Sequence, residues 1–211
     1  MKGIKMSFVT ISRQAGSGGI TIGEKLAKYL SEQLPGKPDW TVYDKNLVEE
    51  VIKDNNLSKK SSPYLEESAA SDVKGAVDVL TGVRSASSVL VGKTNQTLLH
   101  LSRKGRVILV GRGASMITKF TAGGVHVRLL GSLKIRKDHI QEYYHLNAKE
   151  AKAFMEQEDE GRADYLKKYF DWNIDDPLLY DVIINTDTMS YDDAALLIKD
   201  MVVRKITEKG V

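Results

Sequence analysis

A cluster of glycines near the start of the chain is the segment best suited to chemistry. Residues 12–21 read SRQAGSGGIT and lie between a short β-branched run and an amphipathic helical pattern. Glycine allows backbone conformations with positive φ, and successive backbone N–H groups at a helix N-terminus attract anions. The pattern predicts a phosphate-binding turn, and a tight strand–helix connection built from glycine explains it equally well.

Two phosphate-binding motifs match this glycine turn (residues 12–21) in part. A dinucleotide turn requires a small residue where Thr21 stands, although Asp44, at the end of the second apolar run, has the place of its ribose-binding acid. A P-loop carries lysine where Gly19 stands, and Thr21 lies one position beyond its usual serine or threonine. Arg13 has no use in a dinucleotide turn. The pattern alone therefore leaves both interpretations open.

Arginines and carboxylates elsewhere in the chain suit phosphoryl transfer. Arg112 directly follows an apolar run, and Asp159 and Arg162 are three residues apart, so they share one face of a predicted helix. Arg136 follows the first turn of another predicted helix. A guanidinium group binds phosphate oxygens through two parallel hydrogen bonds and keeps its charge at any physiological pH. Surface ion pairs and a solvated basic face are the alternative interpretations of these residues.

The elements that must position these side chains follow an alternating order. Short apolar, β-branched runs are separated by helical patterns; the runs are residues 6–12, 40–43, 106–110, 125–130 and 181–185. This order predicts an α/β protein with a parallel sheet, in which ligands bind at the carboxyl ends of the strands. The glycine turn, Asp44 and Arg112 each follow a predicted strand, so we expect them at that edge of the sheet.

Several polar residues mark where helices begin. Asp44 and Ser132 are predicted N-caps, Asn147 with Glu150 forms a predicted capping box, and Ser190 precedes a C-terminal helix. Asp44 is thus expected to begin a helix over residues 45–54. Residues 56–104 are rich in serine and predict helices with thin apolar cores. The four histidines show no spacing typical of metal ligands.

Composition restricts the class of protein. The 211 residues are 42% apolar and 28% charged, which is typical of a globular domain, and the absence of cysteine excludes disulfides, thiol catalysis and Cys-ligated metals. A net charge of +3 is too small to indicate nucleic-acid binding. No apolar run is long enough to span a bilayer, and the first residues lack the apolar segment of a secretory signal. We therefore expect a cytoplasmic protein without a membrane or nucleic-acid partner.

Four segments, in order, resemble the cytidylate kinase-like family of P-loop proteins, which are relatives of the bacterial cytidylate kinases. The segments are TISRQAGSGG at 10–19, VILVGRGA at 107–114, DEGRADY at 159–165 and DPLLYDVIINT at 176–186. The likeness extends from about residue 6 to residue 205, and a glycine turn without lysine is usual in this family. The order of the four segments makes the resemblance specific, although no single segment does.

The resemblance implies a single P-loop kinase-type domain, a three-layer sandwich around a five-stranded parallel sheet. The core would comprise residues of about 6–45, 105–132 and 178–211. A helical insert over about 46–104 would receive the acceptor. A helical lid over about 133–175 would close over both substrates.

The resemblance also implies ATP with Mg²⁺ as phosphoryl donor and a small nucleotide acceptor, such as CMP. In this interpretation the donor-binding residues are Arg13, Gly16, Ser17, Gly18, Gly19, Ile20 and Thr21. Thr21 is the candidate nearest Mg²⁺, and Arg13 is expected to supply the charge of the missing lysine. Arg162 and Arg136 would neutralise charge that develops on the moving phosphoryl group, Asp159 would hold the lid arginine, and Arg112 and Asp44 would bind the acceptor.

Two departures from the cytidylate kinases leave a second function open. Val110 stands where those enzymes have an aspartate that recognises the base, and Met155 stands where they have a lid arginine. These departures and the missing lysine favour, as an alternative, a nucleotide-binding sensor or interaction protein that has lost turnover. An oxidoreductase that uses a dinucleotide is a third and less favoured interpretation. Neither the acceptor nor the oligomeric state follows from the sequence.

Overall fold

A computed structural model describes residues 7–44 and 86–207, with the side chains of 86–90 excepted. The helix expected over 45–54 and most of the predicted acceptor-side insert (46–104) lie outside the described residues. No helix within the described ranges is both long and apolar enough to cross a membrane.

The described elements alternate between strands and helices. In chain order they are β1 (Phe8–Arg13), α1 (Gly19–Gln33), β2 (Thr41–Tyr43), α2 (Ala86–Lys104), β3 (Val107–Val110), α3 (Ala114–Ile117), β4 (Gly124–Leu130), α4 (Leu133–Tyr144), α5 (Ala148–Phe170), a 3₁₀ turn (Pro177–Leu179), β5 (Val182–Asn185) and α6 (Tyr191–Thr207). The strand ends agree with the sequence prediction to within two residues.

The strands form a parallel five-stranded sheet in the order β2-β3-β1-β4-β5. The predicted five-stranded parallel sheet with flanking helices is therefore confirmed. β1 is the central strand, so the glycine turn that follows it lies in the middle of the carboxyl edge. β2 and β3 end on one side of the turn and β4 and β5 on the other, which brings side chains from both halves of the sheet close to the turn.

The two faces of the sheet differ in polarity. The face that packs on α1 and α6 is apolar and includes Val9, Ile11 and Val127. On the opposite face, Phe8 packs with Leu98 of α2. Beyond Phe8, towards the carboxyl ends of the strands, this face carries polar side chains from β1 and β4. The parallel register places Thr10 opposite His126 and Ser12 opposite Arg128.

The helices begin at the predicted polar caps. The Ser132 hydroxyl accepts a hydrogen bond from the backbone N–H of Ile135 at 3.4 Å, and Asn147 with Glu150 forms a complete capping box. Ser190 Oγ accepts a hydrogen bond from the backbone N–H of Asp193 at 3.0 Å. Because these caps begin α4, α5 and α6, they determine where the helices that surround the glycine turn start.

Helices α4 and α5 pack on the glycine turn through a small apolar cluster. Ile140 of α4 and Ala151 and Met155 of α5 are buried together with Ala15 of the turn. Met155 is almost completely buried in this cluster, which makes it a packing residue. Helices α4 and α5 are therefore in direct contact with the turn.

Candidate active site

The glycine turn requires glycine for both conformation and space. Gly16 and Gly18 have φ values of +81° and +77°. A Cβ atom at Gly16 would lie 2.3 Å from the carbonyl oxygen of Arg136, and one at Gly18 would lie 2.4 Å from the ring of Tyr191. Neither position can accept a side chain without a shift of the backbone or of the tyrosine.

Side chains of the turn stabilise its conformation. Ser17 is fully buried, and its hydroxyl donates to the carbonyl oxygen of Gln14 at 2.8 Å. The Gln14 side-chain oxygen accepts a hydrogen bond from the backbone N–H of Gly131 at 3.1 Å. Ile20 and Thr21 lie exposed on the first turn of α1. The buried Ser17 side chain thus stabilises the backbone of the turn. Thr21, in contrast, is exposed to solvent.

The Arg13 side chain packs against Gly19, the position at which a P-loop carries its lysine. A Cβ atom at Gly19 would be 2.9 Å from Cγ of Arg13 and 3.3 Å from its Cβ. The Arg13 guanidinium forms an ion pair with Asp44 at 3.4 Å, and both side chains are largely buried. The arginine stem therefore fills the space next to residue 19, which only glycine leaves open.

An open cavity lies at the carboxyl ends of β1 and β3, next to α5. Its walls include Arg13 from β1, Arg112 from the turn after β3, and Arg162 from α5. We call it the arginine cavity. Positive charge from three separate elements at one cavity suits an anionic ligand.

Arg112 reaches this cavity from a strained backbone. It has a φ value of +56° and lies between Gly111 and Gly113, which also have positive φ. A Cβ atom at Gly113 would lie 3.2 Å from the ring of Phe170 and 3.4 Å from that of Tyr165, so the turn packs closely on α5. Strained non-glycine residues cluster at functional sites, where the surrounding structure maintains them.

Asp159 connects α5 to the glycine turn. Its Oδ1 accepts hydrogen bonds from the backbone N–H of Ala15 at 2.7 Å and from Arg162 at 3.0 Å. Its Oδ2 accepts a hydrogen bond from Arg136 at 2.6 Å. Glu158 is a second partner of Arg162, at 2.6 Å. One carboxylate thus joins the turn, α4 and α5.

Arg136 is buried behind the turn and does not form a solvated face. Besides its bond to Asp159, it donates to the carbonyl oxygens of Gly131, at 2.9 Å, and Ala15, at 3.1 Å. The structure therefore brings Arg136 and Asp159 to the glycine turn, while Arg162 reaches both Asp159 and the arginine cavity.

His139 and Tyr191, which the sequence analysis did not single out, support the turn from α4 and α6. Nδ1 of His139 lies 3.0 Å from the carbonyl oxygen of Gly16 and 2.9 Å from the Tyr191 hydroxyl. Partial burial raises the pKa of the Tyr191 hydroxyl, which therefore stays protonated near neutral pH. His139 is three residues beyond Arg136, so the two residues share one face of α4. That spacing was the signal in the sequence that could have linked His139 to the site.

Arg128 is a further residue that the sequence analysis missed. It lies in the middle of β4, is buried, and donates to Ser12 Oγ at 2.9 Å. Tyr180 lies beside this pair, and burial raises the pKa of its hydroxyl. A lone arginine within the apolar run of residues 125–130 was the signal available in the sequence.

The described residues contain no group of three or more histidine or acidic side chains placed to hold a metal ion by themselves. Oxygen atoms near the turn are instead dispersed, in Asp44, Thr21 and Asp159. A Mg²⁺ ion that reaches a protein with its nucleotide needs few protein ligands, because phosphate and water supply most of its coordination.

No curated protein matches the chain. Similar solved structures include an uncharacterized protein from Eubacterium ventriosum ATCC 27560, at 20% identity and a TM-score of 0.65, covering 97% of this chain and 99% of that one. Shikimate kinase from Bacteroides thetaiotaomicron matches at 14% identity and a TM-score of 0.52, covering 94% and 99% of the two chains.

A gluconokinase from Sinorhizobium meliloti 1021 matches at 9% identity and a TM-score of 0.53, over the whole of both chains. At these identities the likeness shows a kinase-like fold and no more. The sequence profile of the cytidylate kinase-like family, however, matches residues 8–188, which include the glycine turn and all three arginines of the cavity. The chain belongs to the cytidylate kinase-like family.

Proposed function

We propose that the protein is a kinase that transfers the γ-phosphoryl group of ATP to a small acceptor, most simply a nucleoside monophosphate such as CMP. The convergence of Arg13, Arg112 and Arg162 on one cavity beside the glycine turn carries this proposal. Phosphoryl transfer requires positioning and charge stabilisation and little covalent chemistry from the protein. Membership of the family supports the class of reaction, and the geometry supports the place where it occurs.

The glycine turn is the proposed site for the donor phosphates. Gly16, Ser17, Gly18 and Gly19 would bind them through backbone N–H groups at the start of α1, where the helix dipole favours an anion. Thr21, exposed on the first turn, would hold Mg²⁺ or one of its water ligands. The ion, when bound, would neutralise charge on the phosphate oxygens.

Arg13 is the proposed replacement for the P-loop lysine. Its stem packs against Gly19, and its guanidinium lies at the wall of the arginine cavity. A cation fixed there would stabilise the negative charge that develops between donor and acceptor. The pair with Asp44 holds the side chain in this orientation.

Arg112 and Arg162 are proposed to act on the acceptor side and on the moving phosphoryl group. Arg112 is fixed by its turn at the mouth of the cavity, where it would bind the acceptor phosphate. Arg162 would neutralise developing charge, with Asp159 maintaining its orientation. Val110 is a buried apolar residue, so this chain offers no carboxylate at that position for base recognition.

A coupled kinase assay across the common nucleoside monophosphates, with ATP and Mg²⁺, tests the proposal. We expect turnover with at least one acceptor and a loss of about 100-fold or more in kcat with Arg162→Ala. Lys152→Ala, which changes an exposed cation on the same helix, is the matched control and should leave kcat unchanged. Absence of turnover with every acceptor would contradict the proposal.

A nucleotide-binding sensor is the second candidate, and the Asp159 contacts favour it. This carboxylate already binds the N–H of Ala15 and both lid arginines, which are donors that a transferred phosphoryl group would need. A sensor predicts tight ATP binding without turnover, and no change in affinity with Arg162→Ala. Isothermal titration with ATP, run beside the kinase assay, distinguishes the two functions.

A further inference from the structure

A buried arginine lies under one wall of the arginine cavity. Arg128 of β4 stands opposite Ser12 of β1, and its guanidinium donates to Ser12 Oγ at 2.9 Å. Only 4% of Arg128 is exposed. Burying a charged side chain in the middle of a sheet costs free energy unless the charge is paired or hydrogen-bonded.

The charge of Arg128 is compensated only in part. Its carboxylate partner, Asp175, is 2.9 Å away, but the Asp175 side chain is 70% exposed. Water screens an exposed carboxylate, so the pair neutralises little of the buried charge. Nε of Arg128 is buried without a hydrogen-bond partner in the described part of the chain.

The hydrogen of the Ser12 hydroxyl is available to a ligand. Ser12 and Tyr180 both line the arginine cavity. The Tyr180 hydroxyl lies 2.7 Å from the carbonyl oxygen of Ile174, which can only accept, so the single tyrosine hydrogen is used there. Ser12 Oγ accepts from Arg128. Among the residues that the structure describes, the Ser12 hydrogen has only the Tyr180 oxygen as an acceptor, at 3.3 Å, which is a long distance for such a bond.

We propose that Ser12 is a further acceptor-binding residue that donates its hydroxyl hydrogen to an anionic oxygen of the acceptor, and that Arg128 is the positioning residue that orients it. Tyr180 completes this wall of the cavity. The proposal rests on the proposed function for the identity of the cavity as an acceptor site. It adds a hydroxyl donor, on β1, to the three arginines.

The affinity of the protein for inorganic phosphate tests the roles of Ser12 and Arg128 directly. Inorganic phosphate is titrated into protein saturated with Mg·ADP, which occupies the donor site, and again without ADP, so that a result is obtained whether or not ADP binds. We expect Ser12→Ala and Arg128→Met each to raise the phosphate Kd about tenfold. Ser12→Thr, which keeps a hydroxyl, should restore most of the affinity.

Two comparisons separate positioning from mere stability. Ser7→Ala removes a buried hydroxyl that donates to the carbonyl oxygen of Gly123 at 2.8 Å, just before the amino end of β1, and Ser7 does not line the cavity. This variant should lower the melting temperature without changing the phosphate Kd. In Ser12→Ala protein, Arg128→Met should add no further loss of affinity, because its effect acts through the serine hydroxyl.

The proposal is overturned if the unaltered protein does not bind phosphate, if Ser12→Ala binds it as well as the unaltered protein does, or if the losses from Ser12→Ala and Arg128→Met simply add. Failure of the proposed function has a different signature. It appears in the unaltered protein as absent ADP binding or absent phosphoryl transfer, while the phosphate titrations still report on Ser12 and Arg128.

Discussion

The carboxylate of Asp159 accepts a hydrogen bond from the backbone N–H of Ala15 at 2.7 Å, and this bond attaches α5 to the glycine turn. The two residues are 144 positions apart in the chain. Because Arg136 and Arg162 bind the same carboxylate, a change at Asp159 affects the turn and both arginines together.

Asp159→Asn is expected to lower both stability and turnover. The amide keeps an acceptor for Ala15 but leaves the buried guanidinium of Arg136 without a charged partner, which should cost about 1–3 kcal/mol of unfolding free energy. Urea denaturation measures the free energy, and the coupled assay measures kcat, which should fall at least tenfold. Glu160→Gln, an exposed change on the same helix, is the control. A stability equal to that of the control would contradict the role assigned to Asp159.

Gly16→Ala is expected to destabilise the protein and weaken ATP binding. The methyl group would lie 2.3 Å from the Arg136 carbonyl oxygen, and alanine also disfavours a φ of +81° by about 1–2 kcal/mol. We expect a total loss above 2 kcal/mol by thermal or urea unfolding. Gly92→Ala, at a helical position with open space around its Cβ, should instead stabilise by about 0.5–1 kcal/mol.

Arg13→Ala should reduce phosphoryl transfer by about 10²–10³-fold, because a fixed cation beside the glycine turn is lost. Gly19→Ala should also reduce it, since the new methyl group would displace the Arg13 stem. Both effects are measured as kcat/KM for ATP.

A double variant tests whether Arg13 stands in for the missing lysine. Arg13→Ala combined with Gly19→Lys frees the space that the arginine stem occupies and returns a cation at the P-loop position. We expect it to recover part of the activity that Arg13→Ala loses, while Gly19→Lys alone, which collides with Arg13, should be less active than the double variant. If Arg13→Ala is as active as the unaltered protein, Arg13 does not perform the role of the P-loop lysine.

His126 makes stability depend on pH. Burial lowers the pKa of its imidazole below the ordinary value of 6.5; Lys205 and Lys119 lower it further, and Asp181 opposes them. Below pH 6.5 the unfolded chain therefore binds a proton that the folded protein binds less readily, so the unfolding free energy decreases as the pH falls.

The comparison with His126→Gln isolates this effect from that of other titrating groups. The melting temperature of the unaltered protein should fall by a few degrees more than that of the variant between pH 7.5 and 5.5, a range chosen as about one unit on each side of the ordinary histidine value. Parallel curves for the two proteins would show that His126 does not contribute.

Local features of the chain were predictable because they depend on short-range rules. The glycine turn, the capping box of Asn147 and Glu150, and the strand that precedes Arg112 follow from backbone sterics and from hydrogen bonds between near neighbours. The order of strands and helices then placed the glycine turn and Arg112 at the same edge of a parallel sheet. The family resemblance added the expectation that Arg162 comes to that edge.

Contacts between distant segments were decided only by the tertiary structure. Nothing in the spacing of residues 13 and 19 shows that the arginine stem packs on the glycine, and nothing local shows that Asp159 reaches Ala15. Ser12 meets Arg128 because the parallel register aligns them and turns both side chains to one face. Sequence periodicity indicates which face of an element is apolar and where the element begins. Which distant residues come into contact depends on how the helices fold back over the sheet.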